Sequence, residues 1–180
     1  MGEIKSTLDL VMARTKHLTL SEADKQEQSQ SQFLARLNGL LQKVYDQSFR
    51  FEEFNRAVAD LVVEFNVDFR APLVDALLQK IDPGKDNEVA LALLQNSADV
   101  DIRGLQLVLK QFQDAFDTVR LVHADRVMRA IADKFLISGS DVFPNLDRDV
   151  KWNKTVATLM DQHNIRLVNE KLKIRGAIDS

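Results

Sequence analysis

The sequence predicts a mainly α fold: one domain, residues 1–180, of six or seven helices around a long central helix at about 101–137, with a candidate β-hairpin at 165–174. Three observations carry this. Leu105, Leu109, Phe112, Phe116, Val119, Val127, Ile131 and Phe135 recur at helical spacing and form one broad stripe. The shorter segments before and after this stretch are amphipathic and open on capping residues. A clear turn, Asp82-Pro83-Gly84-Lys85, separates two of them.

The central helix also raises a question of size. About 37 residues at about 1.5 Å each span roughly 55 Å, whereas a compact chain of this length has a diameter of only about 40 Å. The helix must bend or project. The expected joint is Arg120 to Ala124, where the stripe meets His123 instead of an aliphatic residue.

Taken in order, residues 3–17 read as a helix with Ile4, Leu8, Val11 and Met12 on one face. Ser21 and Asp24 form a capping-box variant opening a second helix, whose polar start gives way to Phe33, Leu34, Leu37, Leu40, Leu41 and Val44. The apolar spacing runs through Asn38-Gly39, so that helix is expected to continue, with a close backbone contact at Gly39. Ser48 is placed to cap a third helix bearing Phe51, Phe54, Val58, Leu61, Val62 and Phe65. Asp68 precedes a fourth, with Pro72 in its first turn, and Asp86 caps a fifth, so the two form a helical hairpin about the 82–85 turn.

Gly139 is expected to stop the central helix, and Asp147 to open another that reaches about Gln162. Residues 146–180 then form a helix-plus-hairpin appendage. Read as a helix, the stretch after His163 is apolar on two sides, with Ile165, Val168 and Leu172 opposite Leu167 and Ile174. Read as a hairpin with Asn169-Glu170 as its loop, it places Leu167 with Leu172 and Ile165 with Ile174 on one face. The hairpin is the more self-consistent reading, although the turn lacks the glycine such loops favour.

Composition limits the chemistry. The absence of cysteine removes disulfides, thiolate nucleophiles, iron–sulfur clusters and cysteine zinc sites. There is no apolar run of signal-peptide type and no stretch long enough to span a membrane, so the expected location is the cytoplasm, with no membrane partner. No phosphate-binding glycine loop, nucleophile elbow or paired-histidine helix motif is present, and the sequence names no cofactor. Net charge is only −3, but residues 148–175 carry seven cations against three anions.

Three sets of residues remain as candidate sites. His123 and His163 both fall on inward stripes, and with Asp125 and Asp161 they are the candidate metal, ligand or acid/base cluster. Lys151, Lys154, Arg166, Lys171, Lys173 and Arg175 form a candidate basic surface, in the helix-plus-wing layout by which some domains grip a phosphate backbone; an edge strand bearing solvated lysines is the more ordinary explanation. The phenylalanines Phe49, Phe51 and Phe54 build a core or, if one face stays uncovered, an interface.

The opening Gly2-Glu3-Ile4-Lys5-Ser6-Thr7-Leu8-Asp9-Leu10-Val11-Met12, with Leu20-Ser21-Glu22-Ala23-Asp24-Lys25, resembles the start of a small group of uncharacterised bacterial helical proteins. The resemblance implies a bacterial source and no particular activity. The favoured reading is a non-enzymatic interaction or assembly protein, a homodimer or the partner of another protein. The second is a metal or small-ligand binder or enzyme using His123 and His163, and the third is nucleic-acid binding through the basic segment.

Overall fold

The computed structural model describes residues 21–136 and 143–178. It is mainly helical, with six α-helices and no strand among the described residues. The chain divides into two compact units at the Val67–Asp68 boundary. The predicted helix at 3–17 and the stop at Gly139 lie outside the described residues.

In the first unit, α1 (Glu22–Tyr45) opens on the expected capping box. Ser21 Oγ accepts from the Asp24 N–H at 3.1 Å and the Ser21 N–H donates to Asp24 Oδ2 at 3.0 Å, so two otherwise orphaned donors are satisfied. The helix runs unbroken through Asn38-Gly39. The close contact expected at Gly39 is absent, since a Cβ there would meet nothing within 4 Å. The second helix, α2 (Phe51–Phe65), is capped at Arg50 and not at Ser48, so it starts later than expected: the Arg50 N–H donates to Glu53 Oε2 at 2.9 Å. Phe33, Leu37, Leu41 and Val44 of α1 and Phe54, Val58 and Leu61 of α2 are buried. Phe33 meets Phe65 edge-on at 5.9 Å, and Arg36 of α1 lies over Phe65 while pairing with Glu64, which fixes α1 and α2 as antiparallel neighbours.

The second unit contains α3 (Arg70–Lys80), α4 (Glu88–Asn96), α5 (Arg103–Phe135), a 3₁₀ turn (Leu146–Arg148) and α6 (Val150–Ile178). Asp68 and Asp86 accept from the first N–H groups of α3 and α4, as expected. The turn between these helices is locked by Asn87. Its Oδ1 accepts from the Asp82 N–H, and its Nδ2 donates to the Asp82 and Lys85 carbonyls. Arg70 then ties the start of α3 to the end of α4 by donating to the Ala98 and Asp99 carbonyls.

The predicted central helix is α5, 33 residues without interruption through Arg120–Ala124. Asp101 receives the Arg103 N–H and guanidinium, and that guanidinium holds the Asp101 carboxyl down to about 2. The inward stripe is buried at Leu105, Val108 and Phe112, partly covered at Phe116, Val119, Val127 and Ile131, and exposed at Phe135. The partners of α5 in this unit are α6, which packs along it, and the 3₁₀ turn.

The predicted β-hairpin at 165–174 is not formed, because these residues continue α6. The helix opens at Asp149, whose Oδ1 accepts from the Lys151 N–H, rather than at Asp147. It then runs past Gln162 with no glycine or proline until Gly176. The physical reason is packing. At 3.6 residues per turn, Trp152, His163 and Leu167 share the side that faces α5, and all three are buried. A hairpin would detach Leu167 from that seam. The cost of the helix is an uncovered outer side, where Ile165, Val168 and Leu172 are 66%, 51% and 60% exposed.

The two arrangements separate by mutation. Leu167→Ala should cost about 2–5 kcal/mol, since a buried leucine is lost, whereas Leu172→Ala should change stability by less than about 0.5 kcal/mol, as at most exposed positions. Urea unfolding of both variants checks this. Equal losses at the two sites would favour the paired hairpin.

Candidate functional site

The candidate residues converge most closely along the α5–α6 seam, where five rings follow one another. His123 packs edge-on against Trp152 with centroids 5.6 Å apart. Trp152 meets Phe116 at 5.4 Å, Phe116 lies 5.9 Å from Phe112, and Phe112 meets His163 at 5.5 Å. Edge-to-face contacts of this kind add to the burial term because the positive ring edge faces the negative ring face. The pairs also set the register: α5 and α6 are antiparallel, with Arg126 beside Asp149 at one end and Gly104 under Glu170 at the other.

The two histidines occupy opposite ends of this row. Phe112 and His123 are eleven positions apart on α5, about 16 Å of helical rise, so the rings cannot share a metal ion that holds each nitrogen at about 2.1 Å. Asp125 is exposed and paired with Arg129 one turn on, and Asp161 is exposed. Among the described residues no group of three or more His, Asp or Glu side chains is placed to hold a metal.

Each histidine has a distinct local role. His163 is buried, and its Nδ1 lies 3.0 Å from the Leu159 carbonyl one turn back, the distance of a donated hydrogen bond. His123 is mostly buried, and its Nδ1 stands 3.7 Å from Asp149 Oδ2, too far for a hydrogen bond. Asp149 pairs instead with Arg126. Burial pushes the Asp149 carboxyl up, but the Lys151 and Trp152 N–H groups and the Arg126 guanidinium outweigh it and hold the group below its usual value. Sequence reasoning missed Asp149, Arg126 and Trp152 as the companions of His123; the signal was the spacing 149, 152 on α6 set against 123, 126 on α5.

Four of the six candidate basic residues have partners inside the unit. Lys171 Nζ donates to the Ile81 carbonyl at 2.7 Å, at the C-terminal end of α3 where cations are favoured. Burial pushes its ammonium pKa down, against the opposing pull of the Asp82 carboxylate. Arg175 pairs with Asp75 of α3, Lys173 with Glu170, and Arg166 donates to Gln111 of α5. Lys151 and Lys154 are exposed near the start of α6. Lys171 and Arg175 thus fasten α6 to α3, and Arg166 ties it to α5.

Among the phenylalanines, Phe54 is fully buried in its own unit, Phe49 lies under the Lys43 ammonium at 4.7 Å, and Phe51 is exposed. No described helix is long and apolar enough to cross a membrane. No family model matches the chain, and neither a curated protein nor a solved structure shows significant similarity to it.

The pH dependence of stability follows from Asp149. Its folded-state pKa is depressed, so its contribution is present above the unfolded value of 3.8 and is lost as pH falls through the lower folded value. Asp149→Asn should therefore be less stable than wild type near neutrality, and the gap should narrow as pH drops below about 4. Thermal melts across that range check it; a constant gap would remove Asp149 as the titrating group.

Proposed function

We propose that the protein works by assembly rather than by catalysis, as a helical interaction protein that pairs with a second copy of itself through the outer side of α6. The observation that carries this reading is the row Ile165, Val168 and Leu172. The three lie at i, i+3 and i+7 on one side of the helix, opposite the face that packs on α5, and all are exposed. An apolar helical stripe of that spacing is the seam of a helix pair.

A two-fold antiparallel pairing centred on Val168 sets this stripe against its own copy, so one surface serves both partners. A seam of two turns is small beside the roughly 800 Å² per partner of a stable interface. The pairing therefore exchanges, and dilution dissociates it.

Native mass spectrometry and light scattering over a range of concentrations test the proposal. Wild type should move from a 20.4 kDa species toward twice that mass as concentration rises. Val168→Asp, at an exposed position, should stay monomeric with its helical circular dichroism unchanged. A wild type that remains monomeric at the highest concentration, or a variant that dimerises equally well, would sink the reading.

A further inference from the structure

A cavity of about 410 Å³ opens beside the α5–α6 seam where the Asp82–Lys85 turn approaches it. Its volume falls within the roughly 300–1,000 Å³ of small-molecule sites. Phe112, Phe116, Val156, Met160 and Pro83 give it an apolar wall. Gly84 lets the turn come down onto Met160, since a Cβ there would stand 3.3 Å from the Met160 methyl. Phe116, Val156 and Met160 are only half-buried, so this part of the seam is left unfilled where a core would close-pack.

Lys85 at the rim is the one ionisable residue among those that line the cavity, and it is exposed. Asp82, in the same turn, is not among the lining residues, and its Oδ1 accepts from the Gly84 N–H at 2.8 Å. We infer that this cavity is a binding site for a small amphipathic carboxylate, with an apolar tail against Phe112, Phe116 and Met160 and the carboxylate at Lys85. The chemistry of the lining selects that class. The two rings and the thioether accept an apolar body of varied shape, the lone ammonium selects an anionic head, and no lining group offers a negative charge to a cationic one. This site is separate from His123 and His163 and from the outer side of α6.

The protein carries its own reporter. Trp152 is its single tryptophan and packs edge-on against Phe116 in the cavity wall. Octanoate, titrated into the full chain, should change Trp152 emission saturably, with calorimetry on the same mixtures to register any binding that leaves emission unchanged. Octanamide, which keeps the tail and lacks the charge, should bind about fivefold more weakly, and Lys85→Gln should weaken octanoate by a similar factor, as befits an exposed ion pair. Val156→Phe, which fills the cavity, should abolish binding. Absence of saturable binding by both methods would overturn the inference, as would equal affinity for octanoate and octanamide or an unchanged affinity in Lys85→Gln.

Discussion

The antiparallel packing of α6 on α5 is the constraint on which the Asp68–Ser180 unit depends. Leu105, Val108 and Phe112 on one helix and Trp152, His163 and Leu167 on the other are buried in this seam, and most of the polar fastenings follow from its register. With Phe112 opposite His163, Arg126 reaches Asp149, Arg166 reaches Gln111 and Glu170 comes to rest over Gly104. The same register carries Lys171 to the end of α3 and Arg175 to Asp75. Packing and charge therefore specify one alignment together, which is how a long helix pair avoids sliding by a turn.

Helical periodicity and capping chemistry made most of this fold legible in the sequence. The long stripe predicts a helix over 101–137 and the structure shows Arg103–Phe135. Ser21, Asp68 and Asp86 act at the helix starts where they are expected, and the 82–85 turn is formed. These signals are local: each depends on a few residues whose hydrogen bonds do not require the rest of the chain. The last segment was misread because its signal is not local. A helix apolar on two sides looks unfavourable in isolation, and only the surface of α5 makes the Leu167 side worth burying while Ile165, Val168 and Leu172 stay outside. The two-sided pattern was visible in the sequence, and its meaning was an uncovered face rather than a chain reversal.

The candidate site was legible in its parts but not in its arrangement. His163 on an inward face is correct, and its bond to Leu159 is the ordinary way to satisfy a buried imidazole. What the one-dimensional pattern could not supply was the distance between the histidines, because that depends on the offset between α5 and α6. Nor could it show that Lys171 and Arg175 are spent on holding α6 in place. The surface left over is apolar on the outside of α6, and a half-open apolar cavity with one cation beside the 82–85 turn.

The claim most exposed to direct measurement is that α6 is one uninterrupted helix. With no native cysteine, Lys154→Cys and Lys173→Cys give two unique spin-label sites, both on exposed positions. In samples diluted with unlabelled protein, electron–electron resonance should return a narrow distribution near 28 Å, from nineteen residues at about 1.5 Å each. A broad or clearly shorter distribution, as a reversal at Asn169–Glu170 would give, would contradict the packing on which the account rests.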